Sequence, residues 1–253
     1  MTTEVTETQE LTPTRELKVT REQVLPCAPD RVFRAVATTD GNVGWLYPMD
    51  VEPRLGGAVS RGSSTVVAWD PPHEFACRTP DLDGFTNTLS YRVEPHEDGA
   101  LLRMGIHWVH TGTPDDGWDT RADAAVRHVD FYQHSLAEYL RHFDGRPATY
   151  VKASRPGPPT SPDAFDAVRE RLGVPPGAAA GDVVVALLPG GPVQVQVDHR
   201  DGDFLGLRGP DGLYRFFNGA RWNWPLWVGH HLFTPAPDTD DAAWDTWLAE
   251  TAP

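Results

Sequence analysis

Runs of apolar and β-branched residues, separated by Gly, Pro, Asn and Asp, predict a series of short strands in the first part of the chain. In the last of these strands Arg103 and His107 alternate with an apolar face made of Leu102, Met104, Ile106 and Trp108. Such alternation is typical of an antiparallel sheet with one solvated side. The predicted strands cover residues 17–25, 65–69, 74–78, 86–93 and 101–109, and a further strand is predicted directly after Gly56-Gly57.

Two segments change to helical spacing. Pro29 and Asp30 suit the first turn of a helix, which the apolar residues Val32, Phe33 and Val36 continue. A much longer amphipathic helix is predicted over residues 118–143. At about 1.5 Å of rise per residue it is about 38 Å long, so it must lie across most of a sheet. Its apolar stripe consists of Trp118, Ala122, Ala125, Val129, Tyr132, Leu136, Tyr139 or Leu140, and Phe143.

The remainder of the chain predicts a second, β-rich region. Residues 146–162 are rich in Pro, Gly and Ser and indicate a linker, whereas residues 1–15 indicate a disordered tail. The first domain is therefore placed at 16–145 and the C-terminal region at 163–253. A degenerate second copy of the first fold is an open alternative, because strands again lead to a terminal helix. The C-terminal elements are a helix at 162–172, strands at 182–188, 193–198, 204–208 and 213–217, and a helix at 240–250.

Charge and composition exclude several classes of partner. The net charge is −14, and an acidic protein of this kind repels nucleic acid and anionic lipid. The N-terminus lacks the features of a secretory signal, and no apolar run is long enough for a membrane span, so a cytoplasmic location is expected. Cys27 and Cys77 are too few for a disulfide framework and are expected to be small buried residues.

Several short segments, taken in order, resemble the SRPBCC (START-related) superfamily, specifically homologues of the C-terminal domain of the heat-shock protein 90 ATPase activator. The resemblance covers about residues 16–143 and implies an α+β helix-grip fold, in which an antiparallel sheet curves around a long C-terminal helix. The family's last helix usually carries Gly-Trp where this chain has Phe131-Tyr132. The matching segments are APDRVFRA (28–35) with Trp45, PRLGG (53–57), WDPP (69–72), HTG (110–112) and residues 136–140.

A helix-grip domain encloses a cavity between sheet and helix, which suits an apolar ligand anchored by a few polar groups. The first hypothesis is therefore a protein that binds a small hydrophobic molecule, without a catalytic site, cofactor or metal. The purely structural alternative, that the same side chains fill a tight core, stays open. The predicted lining residues are Trp45, Met49, Trp69, Phe85, Trp108, His110, Tyr132 and Leu136.

Two other functions remain possible. Related folds host cyclases and dehydratases, so an enzyme acting on a polyketide-like substrate is one, with His110, Tyr132 and Arg103 as candidate residues. A co-chaperone-like interaction protein is the other. The sequence leaves the oligomeric state open.

Metal and catalytic motifs are not evident. Asp130 and His134 can pair with each other at helical spacing, and His230 and His231 point to opposite faces of any strand, so neither pair predicts a metal site. Asp198, Asp201 and Asp203 indicate a solvated turn. Trp222, Trp224 and Trp227 are predicted to attach the C-terminal region to the first domain, with a binding platform as the alternative.

Overall fold

The computed structural model describes residues 14–112, 117–157, 163–234 and 240–251. Within these ranges the chain forms two six-stranded antiparallel sheets with helices packed on them, an α+β architecture. Of the helices in these ranges, none is long and apolar enough to cross a membrane.

The first sheet and its helices follow the predicted order. The strands are arranged β1-β6-β5-β4-β3-β2, and β1 pairs with β6 along its whole length, from Thr14 opposite Thr111 to Leu25 opposite Ala100. The predicted strand at 74–78 is confirmed without change, and most other boundaries move by only a few residues. The elements are β1 (Thr14–Leu25), α1 (Pro29–Ala37), α2 (Thr39–Asn42), β2 (Ala58–Val59), β3 (Ser64–Asp70), β4 (Glu74–Arg78), β5 (Phe85–His96), β6 (Gly99–Thr111) and α3 (Trp118–His142).

The second sheet repeats the topology of the first. Its strands are arranged β7-β12-β11-β10-β9-β8, so that in each sheet the first strand lies beside the sixth. Each half also has a helix between its first and second strands and a helix after its sixth. The alternative of a second copy is therefore supported by the strand order. The elements are β7 (Thr149–Ser154), α4 (Ala164–Arg171), β8 (Val183–Leu188), β9 (Gly191–Arg200), β10 (Phe204–Arg208), β11 (Gly212–Phe217), β12 (Trp227–Leu232) and α5 (Asp241–Thr251).

Two strands depart from the sequence-based expectation. Strand β7 lies within the predicted linker, where Val151 and Ala153 are buried while Lys152 is exposed. Its alternation is only a few residues long and is followed by proline, so composition hides it. Strand β12 follows a Trp-rich segment whose spacing does not predict a strand, and within it His230 and His231 do point to opposite faces. Residues 1–13 and 158–162, in the predicted tail and linker, lie outside the described residues.

Helix α3 lies between the two sheets, so two of its sides are buried. On one side Val129, Leu136 and Leu140 belong to the core of the first half. On the other side Ala124 and Phe131 cluster with aromatic residues of the second half: Phe204, Phe217 and Trp222, with Trp224 and Trp227 packed against them. The prediction that these tryptophans attach the C-terminal region is confirmed. Helices α4 and α5 cover the opposite face of the second sheet.

A buried charged network accompanies the aromatic cluster. Arg215, 1% exposed, donates from Nη1 to Oδ2 of Asp198 at 2.9 Å and from Nε to Oγ of Ser135 on α3 at 2.8 Å. Nε2 of His134 lies 2.9 Å from Oδ1 of Asp198, and Arg127 pairs with Asp203. The prediction of a solvated aspartate turn is therefore wrong for Asp198 and Asp203. These carboxylates face α3, which only the tertiary structure brings near.

Candidate functional site

A cavity of about 160 Å³ lies between the first sheet and α3. Most of its wall is apolar. The sheet contributes residues at alternate positions of β5 and β6, which therefore point to one side, and the helix contributes residues at steps of three and four. The wall consists of Trp45, Leu46, Tyr47 and Arg61 from the connecting segments, Leu89, Tyr91, Met104, Ile106 and Trp108 from the sheet, and Ala125, His128, Val129, Tyr132 and Gln133 from α3.

The size of the cavity restricts what it can hold. An apolar cavity of about 150 Å³ in a protein interior stays dry and accommodates a molecule of the size of benzene. A volume of about 160 Å³ is therefore enough for one six-membered ring or a short branched chain.

The polar groups of the wall include three tyrosines and one arginine. Nε of Arg61 donates a hydrogen bond to the hydroxyl of Tyr47 at 3.2 Å. Burial raises the pKa of Tyr91 and raises the pKa of Tyr132 well above its ordinary value. Both phenols are therefore protonated at neutral pH and can donate as well as accept hydrogen bonds.

His128 connects the cavity to the second half. Its Nδ1 lies 2.7 Å from the carbonyl oxygen of Ala124, and because a carbonyl only accepts, Nδ1 carries the proton. The imidazole lies nearly parallel to the rings of Trp227, at 5.4 Å, and Phe217, at 5.9 Å. Burial lowers the pKa of His128, so the ring is neutral at pH 7.

Three of the eight predicted lining residues lie on the cavity wall: Trp45, Trp108 and Tyr132. Met49 and Leu136 are fully buried in the core of the first half instead. Trp69 packs edge-on against Phe33 and Phe75 in the same core. Core filling, the purely structural alternative, accounts for these three residues.

Phe85 and His110 lie beyond one end of the cavity, where both rings contact Trp118 at the start of α3. Arg103 is on the outer face of the sheet, where it pairs with Glu22 and Glu94. The structure therefore does not bring together His110, Tyr132 and Arg103, the candidate residues of the enzyme alternative.

The helical pair predicted on α3 does not form. Asp130 is the partner of Arg21 on β1, and His134 is the partner of Asp198 on β9. In the described part of the chain, the groups close enough together to hold a metal are His96, Glu97 and Asp98, in the exposed turn between β5 and β6. Among the residues of the cavity wall, only those on β5 and β6 lie near these three groups in the sequence.

Sequence reasoning missed Tyr47, Arg61, Tyr91 and Gln133 on the cavity wall. Tyr91 is two positions after Leu89 on β5, so the two side chains lie on the same face, and this spacing indicates Tyr91 as a wall residue. Arg61 lies in an irregular segment between β2 and β3, where no periodicity indicates the direction of a side chain.

No family model matches the sequence, and no curated protein matches it. Solved structures match about half of the chain. Protein MLL2253 from Mesorhizobium loti is 20% identical, with a TM-score of 0.40, and the match covers 50% of this chain and 98% of that one. CalU16 from Micromonospora echinospora is 15% identical, with a TM-score of 0.39, covering 51% and 75%. SA2116 from Staphylococcus aureus, a protein of unknown function, is 10% identical, with a TM-score of 0.42, covering 51% and 95%. These similarities identify neither a family nor an activity.

Proposed function

We propose that this protein binds a small, mostly apolar molecule in the cavity between the first sheet and α3. The observation that carries the proposal is the cavity itself, about 160 Å³ with a wall of mainly aliphatic and aromatic side chains. A wall of this composition, apolar with a few polar groups that can orient a ligand, is typical of ligand pockets.

The energetics favour an occupant. Each Å² of apolar surface that is removed from water on binding contributes about 25 cal/mol in favour of the complex. Wall side chains that face an empty cavity also lack dispersion contacts, which a bound molecule supplies. A ring that enters the cavity gains both, while Trp108 and Tyr132 offer aromatic surfaces for contact. The resemblance of residues 16–143 to SRPBCC proteins, whose fold encloses a pocket at this place, also supports the proposal.

The first experiment is native mass spectrometry of freshly purified protein, followed by NMR titration with toluene, a single apolar ring. We expect a co-purifying small molecule, or chemical-shift changes on toluene addition that concentrate at Ala125, Val129 and the β5–β6 residues of the wall. The proposal fails if no single-ring compound produces changes at these positions.

A cavity-filling variant provides the matched comparison. Ala125→Phe places a ring in the cavity from α3 and is expected to abolish toluene binding while the helical signal in circular dichroism persists. Ala249→Phe makes the same substitution at an exposed position of α5 and should bind toluene like the parent protein. Equal loss of binding in both variants would contradict a site in this cavity.

A further inference from the structure

Arg61 is a cation on the wall of an otherwise mainly apolar cavity, and among the described residues no carboxylate lies within ion-pair distance of it. Its side chain is half-buried, and its Nε is bonded to the hydroxyl of Tyr47. Its two terminal nitrogens have no hydrogen-bond partner in the described part of the chain. A guanidinium has five N–H donors, so the four on the terminal nitrogens can bind a ligand in place of water.

This lack of a counter-ion is unusual for the molecule. The protein carries 36 acidic and 22 basic side chains, and most arginines in the described ranges have a carboxylate partner. Arg31 pairs with Asp144, Arg208 with Glu138 and Arg215 with Asp198. A chain with a large excess of carboxylates nevertheless leaves Arg61 without one at the cavity.

The position of Arg61 is close enough to the interior to affect buried groups. Burial raises the pKa of Tyr91 and of Cys77, and the positive charge of Arg61 opposes both changes. The guanidinium therefore acts on the inner face of the sheet and not only on solvent. A charge near apolar surface loses hydration, and an anion bound there restores part of that loss.

We infer that the ligand is a compact carboxylate whose ring or alkyl part occupies the apolar end of the cavity and whose carboxylate pairs with Arg61. Leu89, Met104 and Ile106 contact the apolar part. The inference rests on the proposed function and specifies its ligand class. The guanidinium can bind both carboxylate oxygens at once, a geometry that a lysine cannot match.

Two tyrosines complete the anion site. The Tyr47 hydroxyl accepts from Arg61 and keeps its own proton to donate, and Tyr91 lies on the same wall. Burial raises the pKa of Tyr91, so its hydroxyl is neutral at pH 7 and does not repel a carboxylate. The volume of the cavity thus selects the size of the ligand's apolar part, and Arg61 selects its charge.

The test compares four probes at pH 7.5 by isothermal titration calorimetry: benzoate, benzyl alcohol, toluene and acetate. Hydrogen bonds between charged groups are stronger than those between neutral groups, so we expect benzoate to bind at least about tenfold more tightly than benzyl alcohol. Acetate, which has the anion without the ring, should not bind measurably. High salt should lower the affinity for benzoate and leave the affinity for toluene unchanged.

Arg61→Gln is expected to remove the preference for benzoate while toluene affinity stays the same. The matched control is Arg78→Gln, an exposed residue of β4 that has no carboxylate partner in the described part of the chain and whose loss changes the net charge equally. Arg78→Gln should retain the preference. Tyr47→Phe, which leaves the charge in place, should weaken benzoate several-fold and serves as a second variant if Arg61→Gln does not fold.

The outcomes separate the two proposals. If benzyl alcohol or toluene binds as tightly as benzoate, or Arg61→Gln retains the preference, the carboxylate assignment is overturned and the binding function stands. If none of the ring probes binds, the binding function itself is overturned.

Discussion

Arg215 and Asp198 form an ion pair that is almost completely removed from water, with exposed side-chain fractions of 1% and 3%. Burial acts to raise the pKa of Asp198, but the charge of Arg215 and the hydrogen bond from His134 outweigh it and lower the pKa. Removing one member leaves the other buried and unpaired, which is far more costly than losing an exposed pair.

Arg215→Met is therefore expected to lower the free energy of unfolding by about 3–5 kcal/mol, because Asp198 loses its counter-ion in the interface. Urea denaturation followed by circular dichroism measures this. The control is Arg21→Met, which breaks the more exposed pair with Asp130 and should cost no more than about 1 kcal/mol. Equal losses in the two variants would show that the Arg215 pair is not buried as described.

His231 is the second residue whose burial has a measurable consequence. Its Nδ1 lies 2.7 Å from the carbonyl oxygen of Val43, which joins β12 to the segment after α2. Burial, helped by the charge of Arg215, lowers the pKa of His231 to about 3. The unfolded chain takes up a proton on this residue below about pH 6.5, whereas the folded chain does not until a much lower pH.

Stability is therefore expected to fall as the pH drops below about 6.5, and His231 alone accounts for about 2 kcal/mol between pH 6.5 and 5. His230, whose pKa burial lowers well below its ordinary value, adds to the same trend. In His231→Asn an amide can donate to Val43 without titrating. Urea denaturation across this pH range should show a shallower dependence for the variant, and an unchanged slope would exclude His231 as a source.

At the scale of the element, α3 shows that a second sheet can bury the side of a helix that its amphipathic pattern predicts to be solvated. The apolar stripe correctly indicates the side that faces the first sheet. The opposite side, with Phe131, Ser135 and Glu138, is expected to be solvated if only the first domain is considered. In the structure all three are buried, because the second sheet lies over them.

Phe131→Ala tests this second buried side. The ring stacks on Phe204 at 4.8 Å, and the guanidinium of Arg215 lies over the ring, 5.6 Å from its centre. We expect a loss of about 3–5 kcal/mol in the free energy of unfolding, comparable to that of Leu136→Ala on the opposite side. Asp130→Ala, at an exposed position of the same helix, should change it by less than about 1 kcal/mol. A small effect at Phe131 would mean that the helix faces only one sheet.

At the scale of the whole molecule, two halves of the same topology share one helix and one interface. Asp123 accepts hydrogen bonds from Arg221 and from the indole of Trp222, both at 2.8 Å, and Glu138 pairs with Arg208 of β10. Apolar and charged contacts thus cross the same boundary. Without α3, each half would expose the part of its core that packs against this helix.

We expect the two halves to unfold together. Differential scanning calorimetry should show one transition whose calorimetric and van't Hoff enthalpies agree, although proteins with two domains commonly show two. A fragment of residues 146–253 should lack fixed tertiary structure by near-ultraviolet circular dichroism, because it exposes Phe204, Phe217 and the Arg215 pair. Two resolved transitions, or a folded fragment, would contradict this coupling.

Local pattern was sufficient for most elements. Residues 74–78 and 204–208 are strands with the predicted bounds, and α3 ends one residue before the predicted position. These features depend on side-chain periodicity and turn residues within a few positions, which the chain carries regardless of its partners. The pattern was insufficient where it is short, as in β7, or where two faces of one helix are both buried.

By itself, then, the sequence determined the order and type of most elements, β7 and β12 excepted, together with the direction of the inner face of the first sheet and the acidic character of the protein. Tertiary structure alone decided that Arg61 lies on the cavity wall, that Met49 and Leu136 fill the core, and that Asp198 is buried. The physical reason is separation along the chain: Ser135 and Arg215 meet across 80 positions, and burial depends on such neighbours rather than on local spacing.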